Sequence, residues 1–414
     1  MPLESLVSPF VGVVCGMQDV LAGPEDARRA AAWCESAYPF AILGGGSGPT
    51  SREARDAAVG EAVERYAASI VDPTRLVLAS ARELGADAID PASFALFSER
   101  QYRSPGFPYA RFDADTRVSW IDGISLPDGA PVLVPAQLVH LAGFEDEPPI
   151  CRTTSSGLAC HTSAASATLR ALLELLERDA FMLTWKARLS WPVLEWREHA
   201  ELHRLETAFV KPTGLRVRAV DLSAVWRIPI VAAVARTTLA GAAPLGVGAA
   251  ADVTVEGAVT KALDEAIRVL TWARALRRRS GSPLRPDDVE ELDDHVRFYA
   301  DPANAFRTQF LDGSTAVRSV EHVRPLPEPH LDEICRRLAR RGMRAYAVDV
   351  TSSDVREAGL SVVRVVVPEL CALDVEHRAR LLGGSRLYEE PVRLGRCTRV
   401  LTEDDVNPDP HPFP

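Results

Sequence analysis

The sequence predicts an α/β protein in which mixed β-sheets are packed with helices and a loop-helix unit recurs within the chain. Three observations lead there. Short apolar, β-rich runs alternate with longer helical patterns along most of the 414 residues, as in sheets covered by helices. One helical pattern, Leu169 to Trp185, is apolar on nearly every face and therefore belongs inside the molecule. A Glu-x-x-Glu-Arg arrangement behind a small-residue segment occurs twice, with a fainter third copy, which suggests related structural units.

In chain order, Val11 to Cys15 suits a strand, Pro24 to Ala37 reads as a helix opening at a proline and acidic residues, and Tyr38 to Leu43 reads as a buried strand. Gly44-Gly45-Gly46-Ser47-Gly48-Pro49-Thr50 then reads as a glycine-rich turn, either a plain loop or a nest of amides for an anion. Ser51 to Ser69 is a helix carrying Glu61, Glu64 and Arg65. Arg117 to His140 is two strands joined at Leu126-Pro127-Asp128-Gly129. Ser155-Ser156-Gly157 opens the central helix, with Thr162 or Ser163 as N-cap. His199 and His203, four apart on a helix from Glu198 to Val210, read as solvent-facing rather than as zinc ligands. Leu215 to Leu222 and Ile228 to Thr238 are β-rich and supply a sheet for the acid-bearing helices. Gly246 to Asp252 is a further small-residue connection, leading into a helix from Thr254 to Arg279. The last third holds a helix ending near Gly342 and strands at Arg344 to Thr351 and Ser361 to Val367. The alternating prolines of Asn407 to Pro414 make a stiff tail that loses little entropy on docking.

Within the central helix Glu174 and Glu177 share one side, with Arg170 and Arg178 one turn before and one turn after Glu174. Carboxylates in such surroundings must be paired with cations or bound to a metal, so structural Glu–Arg pairs and a cation site are the two readings. The third copy, Lys261 to Arg268, equally reads as a solvated helix laced by a Lys261–Glu265 pair. A net charge of −10 argues against nucleic acid or an anionic membrane as the main partner. No apolar run is long enough to span a bilayer. Seven scattered cysteines without a CxxC point to a reduced, cytoplasmic protein, and Cys151, Cys160 and His161 read as small buried side chains rather than a metal site. Only three lysines stand against 44 arginines, so a phosphate-binding cation here is expected to be arginine.

The glycine segment with GEAVERY, then SSGLACHTSAASATLRALLELLERDAFMLTW, GVGAAADVTVEGAVTKALDEA, SVVRVVVPEL with LLGGSRL, and NPDPHPFP resemble, in order and over nearly the whole chain, the YcaO proteins. Within that family the chain is most similar to azoline-forming peptide cyclodehydratases of the thiazole/oxazole-modified microcin type. The resemblance implies a single YcaO-type unit over 1–414, with a nucleotide-binding core over 38–280 and a C-terminal α/β portion over 281–414. It implies ATP and Mg²⁺ as cofactors, with Glu61, Glu64, Glu174 and Glu177 as metal ligands beside Arg65 and Arg178. It implies that a Cys, Ser or Thr side chain of a ribosomally made precursor peptide adds to the preceding carbonyl, that ATP phosphorylates the resulting oxygen, and that loss of phosphate leaves thiazoline or oxazoline. The C-terminal carboxylate, here that of Pro414, is the implied base.

The family usually carries Lys at Ser47, Ser at Ala57 and Gln at Arg170, all on the expected nucleotide face, and Arg170 offers a replacement charge. Thioamide or amidine formation on the same fold, and a degenerate scaffold in a modifying complex, are the alternatives. With no added N-terminal peptide-binding domain in view, a separate ThiF-like leader-binding protein is expected, together with a flavin dehydrogenase in the same complex and a homodimeric state.

Overall fold

The computed structural model describes residues 3–10, 12–20, 30–36, 43–141, 143–237, 243–278 and 283–413. Three sheets organise them. The first is antiparallel and runs β1 (Val14–Val20), β2 (Ala30–Ser36), β3 (Leu43–Gly48). The second contains β4 (Leu76–Ser80), β5 (Arg117–Ser125), β6 (Pro131–Pro135), β7 (Leu158–His161), β13 (Tyr346–Asp349) and β14 (Ser361–Val366), in the order β4-β5-β13-β14-β7 with β6 paired to β5. The third contains β8 (Val193–Glu195), β9 (Arg216–Asp221), β10 (Ile230–Arg236), β11 (Leu245–Ala251) and β12 (Val317–Ser319), in the order β11-β10-β9-β8-β12. Strands from the last third, β13 and β14, lie between β5 and β7, so the C-terminal portion is woven into the same sheet as the middle of the chain.

The three longest helices among the described residues are α1 (Ser51–Ser69), α2 (Ala164–Lys186) and α3 (Val255–Arg278). Each follows an edge strand: β3, β7 and β11 respectively. Thr50 caps α1 in a reciprocal box with Glu53, and Ser163 caps α2 by accepting from the Ser166 amide.

Glycine lets two of these helices ride directly on their strands. A Cβ at Gly44 or Gly46 would stand 2.2 or 2.1 Å from the Ala58 or Ala54 carbonyl of α1. One at Gly246 would stand 2.2 Å from the Ala266 carbonyl of α3. In β3 these glycines alternate with Gly45 and Ser47, which face the other way. β11 is buried on both faces: Ala250 packs with α3, while Leu245, Val247, Ala249 and Ala251 join the core around α2.

α2 lies against β7 and β14 on one side and β10 and β11 on the other, with Phe181 to Lys186 wholly buried. Two charged groups on its buried length have hydrogen-bond partners. Asp179 accepts from Arg386 at 2.7 and 2.6 Å, from Trp226 Nε1 at 2.7 Å and from the Cys371 amide at 2.9 Å. Lys186 reaches Asp374 and the Leu381 carbonyl, both at 2.9 Å.

The proline tail is docked, as its composition predicts. Asn407 bonds to the carbonyls of Trp185 and Lys186, Trp185 Nε1 donates to the Asp409 carbonyl at 3.1 Å, and Tyr299 donates to the Pro410 carbonyl at 2.6 Å. The His411 ring stacks on His295 with centroids 3.8 Å apart. Phe413 is buried against Phe181 at 4.7 Å.

Several expectations need correction. The helix predicted over Pro24 to Ala37 is replaced over Ala30–Ser36 by β2; the remainder of that range lies outside the described residues. Alanine-rich local preference loses to a strand paired on both sides, with Ala32, Cys34 and Ser36 turned inward at every second position. The strand read at Val11 to Cys15 is instead β1, beginning at Val14, and residues 38–42 of the one read at Tyr38 to Leu43 lie outside the described residues. Gly44 to Gly48 is no turn but strand β3, and Gly246 to Ala251 likewise belongs to β11. Gly44, Gly46, Gly246 and Gly248 serve helix approach. His199 is not solvated: it caps the helix Ala200–Leu205 and its Nε2 lies 3.0 Å from Glu256.

Gly246→Val pushes a branched side chain into the α3 backbone, and a loss of at least about 3 kcal/mol is expected, measurable as a lower denaturant midpoint with an unchanged slope.

Candidate active site

Two of the long helices are tied back to the strand before them by a glutamate in the middle of the helix. Glu61 accepts from the Gly45 amide of β3 at 2.8 Å, and Glu265 from the Ala249 amide of β11 at 2.8 Å. Glu174 of α2 is near enough to the Gly157 backbone, just before β7, for it to lower the carboxyl's proton affinity. An edge strand leaves outward amides without a neighbouring strand, and a carboxylate is a strong acceptor for them.

The position one helical turn further on reaches the strand of the next unit. Glu64 accepts from the Cys160 amide of β7 at 2.8 Å, and Glu177 from the Ala251 amide of β11 at 3.0 Å. The third such position is Arg268, whose guanidinium lies 3.2 Å from where a Cβ of Gly45 on β3 would stand. α1 thus leans on β7, α2 on β11 and α3 on β3, and the three contacts close a ring.

The arginines of the repeated motif brace these acids. Arg65 joins Glu61 to the Leu43 carbonyl. Arg178 pairs with Glu174 at 2.9 Å, donates to Ser156 Oγ, and carries its guanidinium 6.0 Å from the Phe413 ring. Arg170 is exposed and makes no ion pair with Glu174 among the described residues; its charge acts instead on Glu64. Ser47 faces away from α1 opposite Ala31 of β2, and Ala57 is exposed on α1.

Electrostatically the acids act as one group. Desolvation pushes Glu64 up to about 8, and Glu174 and Glu61 add to the rise while the Cys160 amide and Arg170 oppose it. Glu177 is held well above the ordinary carboxylate range by burial and then by Glu265 and Glu174. Glu174 and Glu265 are raised by burial too, each against a neighbouring arginine.

The third copy is therefore no solvated helix. Lys261 bonds to Asp252 at 2.5 Å, leaving Glu265 to the cluster. Reasoning from sequence missed Glu265, although a signal was present: Glu61 follows Gly45, and Glu265 follows Ala249, by the same 16 residues. It also missed Ser156, which holds Arg178, and Arg364, whose charge reaches Glu174. Pro414 lies outside the described residues; its neighbour Phe413 sits beside Arg178.

Acids gathered from three helices against three edge strands set this α/β protein apart. The chain belongs to the YcaO family: the family model described as YcaO cyclodehydratase, ATP- and Mg²⁺-binding, matches residues 45–371. A heterocyclase solved in complex with substrate and cofactor has the same fold, with a TM-score of 0.81 and 22% identity over 100% of this chain and 57% of its own. This chain thus spans little more than half the length of that protein. The YcaO from Methanopyrus kandleri bound with AMPPCP and Mg²⁺ gives a TM-score of 0.63 at 23% identity, covering 86% of both chains. An uncharacterized protein of Methanothermobacter thermautotrophicus is 27% identical over 362 residues, 82% of this chain and 85% of its own.

The donor set fits a magnesium nucleotide in its chemistry. Carboxylates are hard oxygen ligands, and desolvated acids that raise one another's proton affinity are relieved by a cation. Among the described residues no three acids, histidines or cysteines stand close enough to hold an ion by themselves, each acid being engaged by an amide or an arginine.

Glu64 makes stability depend on pH. Between the ordinary carboxylate value and about 8 the folded ligand-free protein holds a proton that the unfolded chain releases, so this contribution is present at low pH and lost as pH rises through about 8. Glu64→Gln is expected to flatten the fall in urea midpoint between about pH 5 and about pH 8.5.

Proposed function

We propose that this chain is an ATP-dependent peptide cyclodehydratase that converts Cys, Ser or Thr residues of a ribosomally synthesised precursor peptide to thiazoline or oxazoline by phosphorylating the backbone amide oxygen. The observation that carries this reading is the ring of acids on three edge strands in a chain of the YcaO family. Glu61, Glu64, Glu174 and Glu177 are the residues proposed to hold Mg²⁺, with Glu265 added from the structure. Bound there, the metal neutralises triphosphate charge.

The chain's own groups take the remaining roles. Arg65 and Arg178 keep the acids oriented and offer guanidinium donors to phosphate. Ser47 and Arg170 border the nucleotide face, Arg170 supplying positive charge that acts on Glu64. Pro414 is the residue proposed to supply the base; Phe413 before it is fixed between Phe181 and Arg178. No helix among the described residues is long and apolar enough to cross a membrane, consistent with the proposed cytoplasmic setting. The partners in this reading are the precursor peptide, a separate ThiF-like leader-binding protein, a flavin dehydrogenase and a second copy of the chain.

With cognate peptide and partner present, ADP and phosphate should appear in step with loss of one water per ring, followed by mass spectrometry. Glu174→Ala should lower ADP formation at least about a hundredfold. Turnover of ATP undiminished in that variant, or a peptide of unchanged mass, would reject the proposal.

A further inference from the structure

Behind the acids two arginines stand without a full set of partners. Arg364 lies on β14 opposite Leu158 of β7 and is 6% exposed. It donates to the Thr154 carbonyl at 2.7 Å. Arg178 spends its two terminal nitrogens on Ser156 Oγ and Glu174. The Nε of each is buried with no hydrogen-bond partner.

Both guanidinium groups are pinned to the same short loop, residues 153–157. Thr154 Oγ1 donates to Ser156 Oγ at 2.7 Å, so the two anchor points are themselves joined. Gly157 fixes the loop to β14: its φ is +80°, its carbonyl accepts from the Val365 amide at 2.8 Å, and a Cβ there would stand 2.6 Å from the Val365 carbonyl. Glu174 lies in the field of both arginines. Arg178 in turn acts as a like charge on Arg364, whose affinity for its proton burial also weakens.

Two guanidinium groups anchored to one loop thus each keep a buried Nε–H that has no acceptor. A tetrahedral oxyanion supplies acceptors for both idle donors and removes the repulsion. We propose that Arg364 of β14 and Arg178 of α2, both anchored to the loop 153–157, form a phosphate subsite of the active site. This rests on the nucleotide reading above, and the phosphate is either a group of the bound nucleotide or inorganic phosphate after release. Arg364 is the new residue here, and the role is binding of the transferred or leaving group, not mere neutralisation of Glu174.

The test uses the full chain with two probes: inorganic phosphate titrated at constant ionic strength while thermal unfolding is followed, and ATP with Mg²⁺ in a calorimeter. Wild type is expected to be protected by phosphate. Arg364→Lys, which keeps the charge but loses the forked donors, is expected to lose that protection and to bind ATP at least about tenfold more weakly. Weaker ATP binding without any phosphate effect in wild type assigns the subsite to the nucleotide alone. If wild type fails to bind ATP yet is protected by phosphate, and Arg364→Lys is not, the nucleotide reading falls while the subsite stands. An Arg364→Lys protein that only melts lower, with ATP affinity and phosphate response as in wild type, overturns the proposal, as does a wild type that responds to neither probe. Arg364→Met is the stronger change, and should it fail to fold, the lysine variant decides.

Discussion

The bond between a helix carboxylate and an edge-strand amide is the interaction on which the rest of this structure depends. Glu61, Glu64, Glu177 and Glu265 each accept one such amide, and every bond solves two problems together. A sheet edge loses its unpaired donor, which would otherwise invite another strand. An acid in poorly solvated surroundings gains a hydrogen-bond donor. Because the helices ride on glycine and alanine, the acids stand close enough to their strands for this to happen. Lengthening those side chains would separate helix from sheet and leave acid and amide unsatisfied together.

The centre of the molecule is held by a second set of buried polar contacts around α2. Asp179, the residue after the repeated motif, binds the helix Arg386–Arg393 through Arg386, with Trp226 and the Cys371 amide completing its shell. Removing one member of such a buried pair costs about 3–5 kcal/mol because the other charge is then stranded. Trp185 and Lys186 at the end of the same helix receive the tail through Asn407 and Asp409. One helix thus carries acids toward the cluster at its middle and an anchor for the chain's last described residues at its end.

Much of this was legible in the sequence where local chemistry and tertiary structure agree. α1 runs from Ser51 to Ser69 as its caps require, Ser163 caps α2, and Leu126-Pro127-Asp128-Gly129 joins β5 to β6. Reading failed where packing overrode local preference. Ala30–Ser36 has the composition of a helix and becomes a central strand because two neighbours pair with it. Glycines in β3 and β11 signal a turn when taken alone; only the facing helix reveals that their missing Cβ is what matters. For the candidate site, the repeated Glu-x-x-Glu-Arg could be seen, but Glu265 was obscured by Lys261 one turn earlier, whose real partner, Asp252, precedes the helix. Arg364 lies within SVVRVVVPEL, but that segment reads only as a strand; the arginine's partner is the Thr154 carbonyl, some two hundred residues away in the chain.

The closed succession of α1 on β7, α2 on β11 and α3 on β3 bears on how the molecule can breathe. In an open stack, one layer can slide while the others stay in register. In a closed circuit any one unit shifts only by disturbing a link on each side, so small displacements meet opposition from both neighbours. The spacing of the acids is accordingly set by the backbone of three sheets, before any side chain moves.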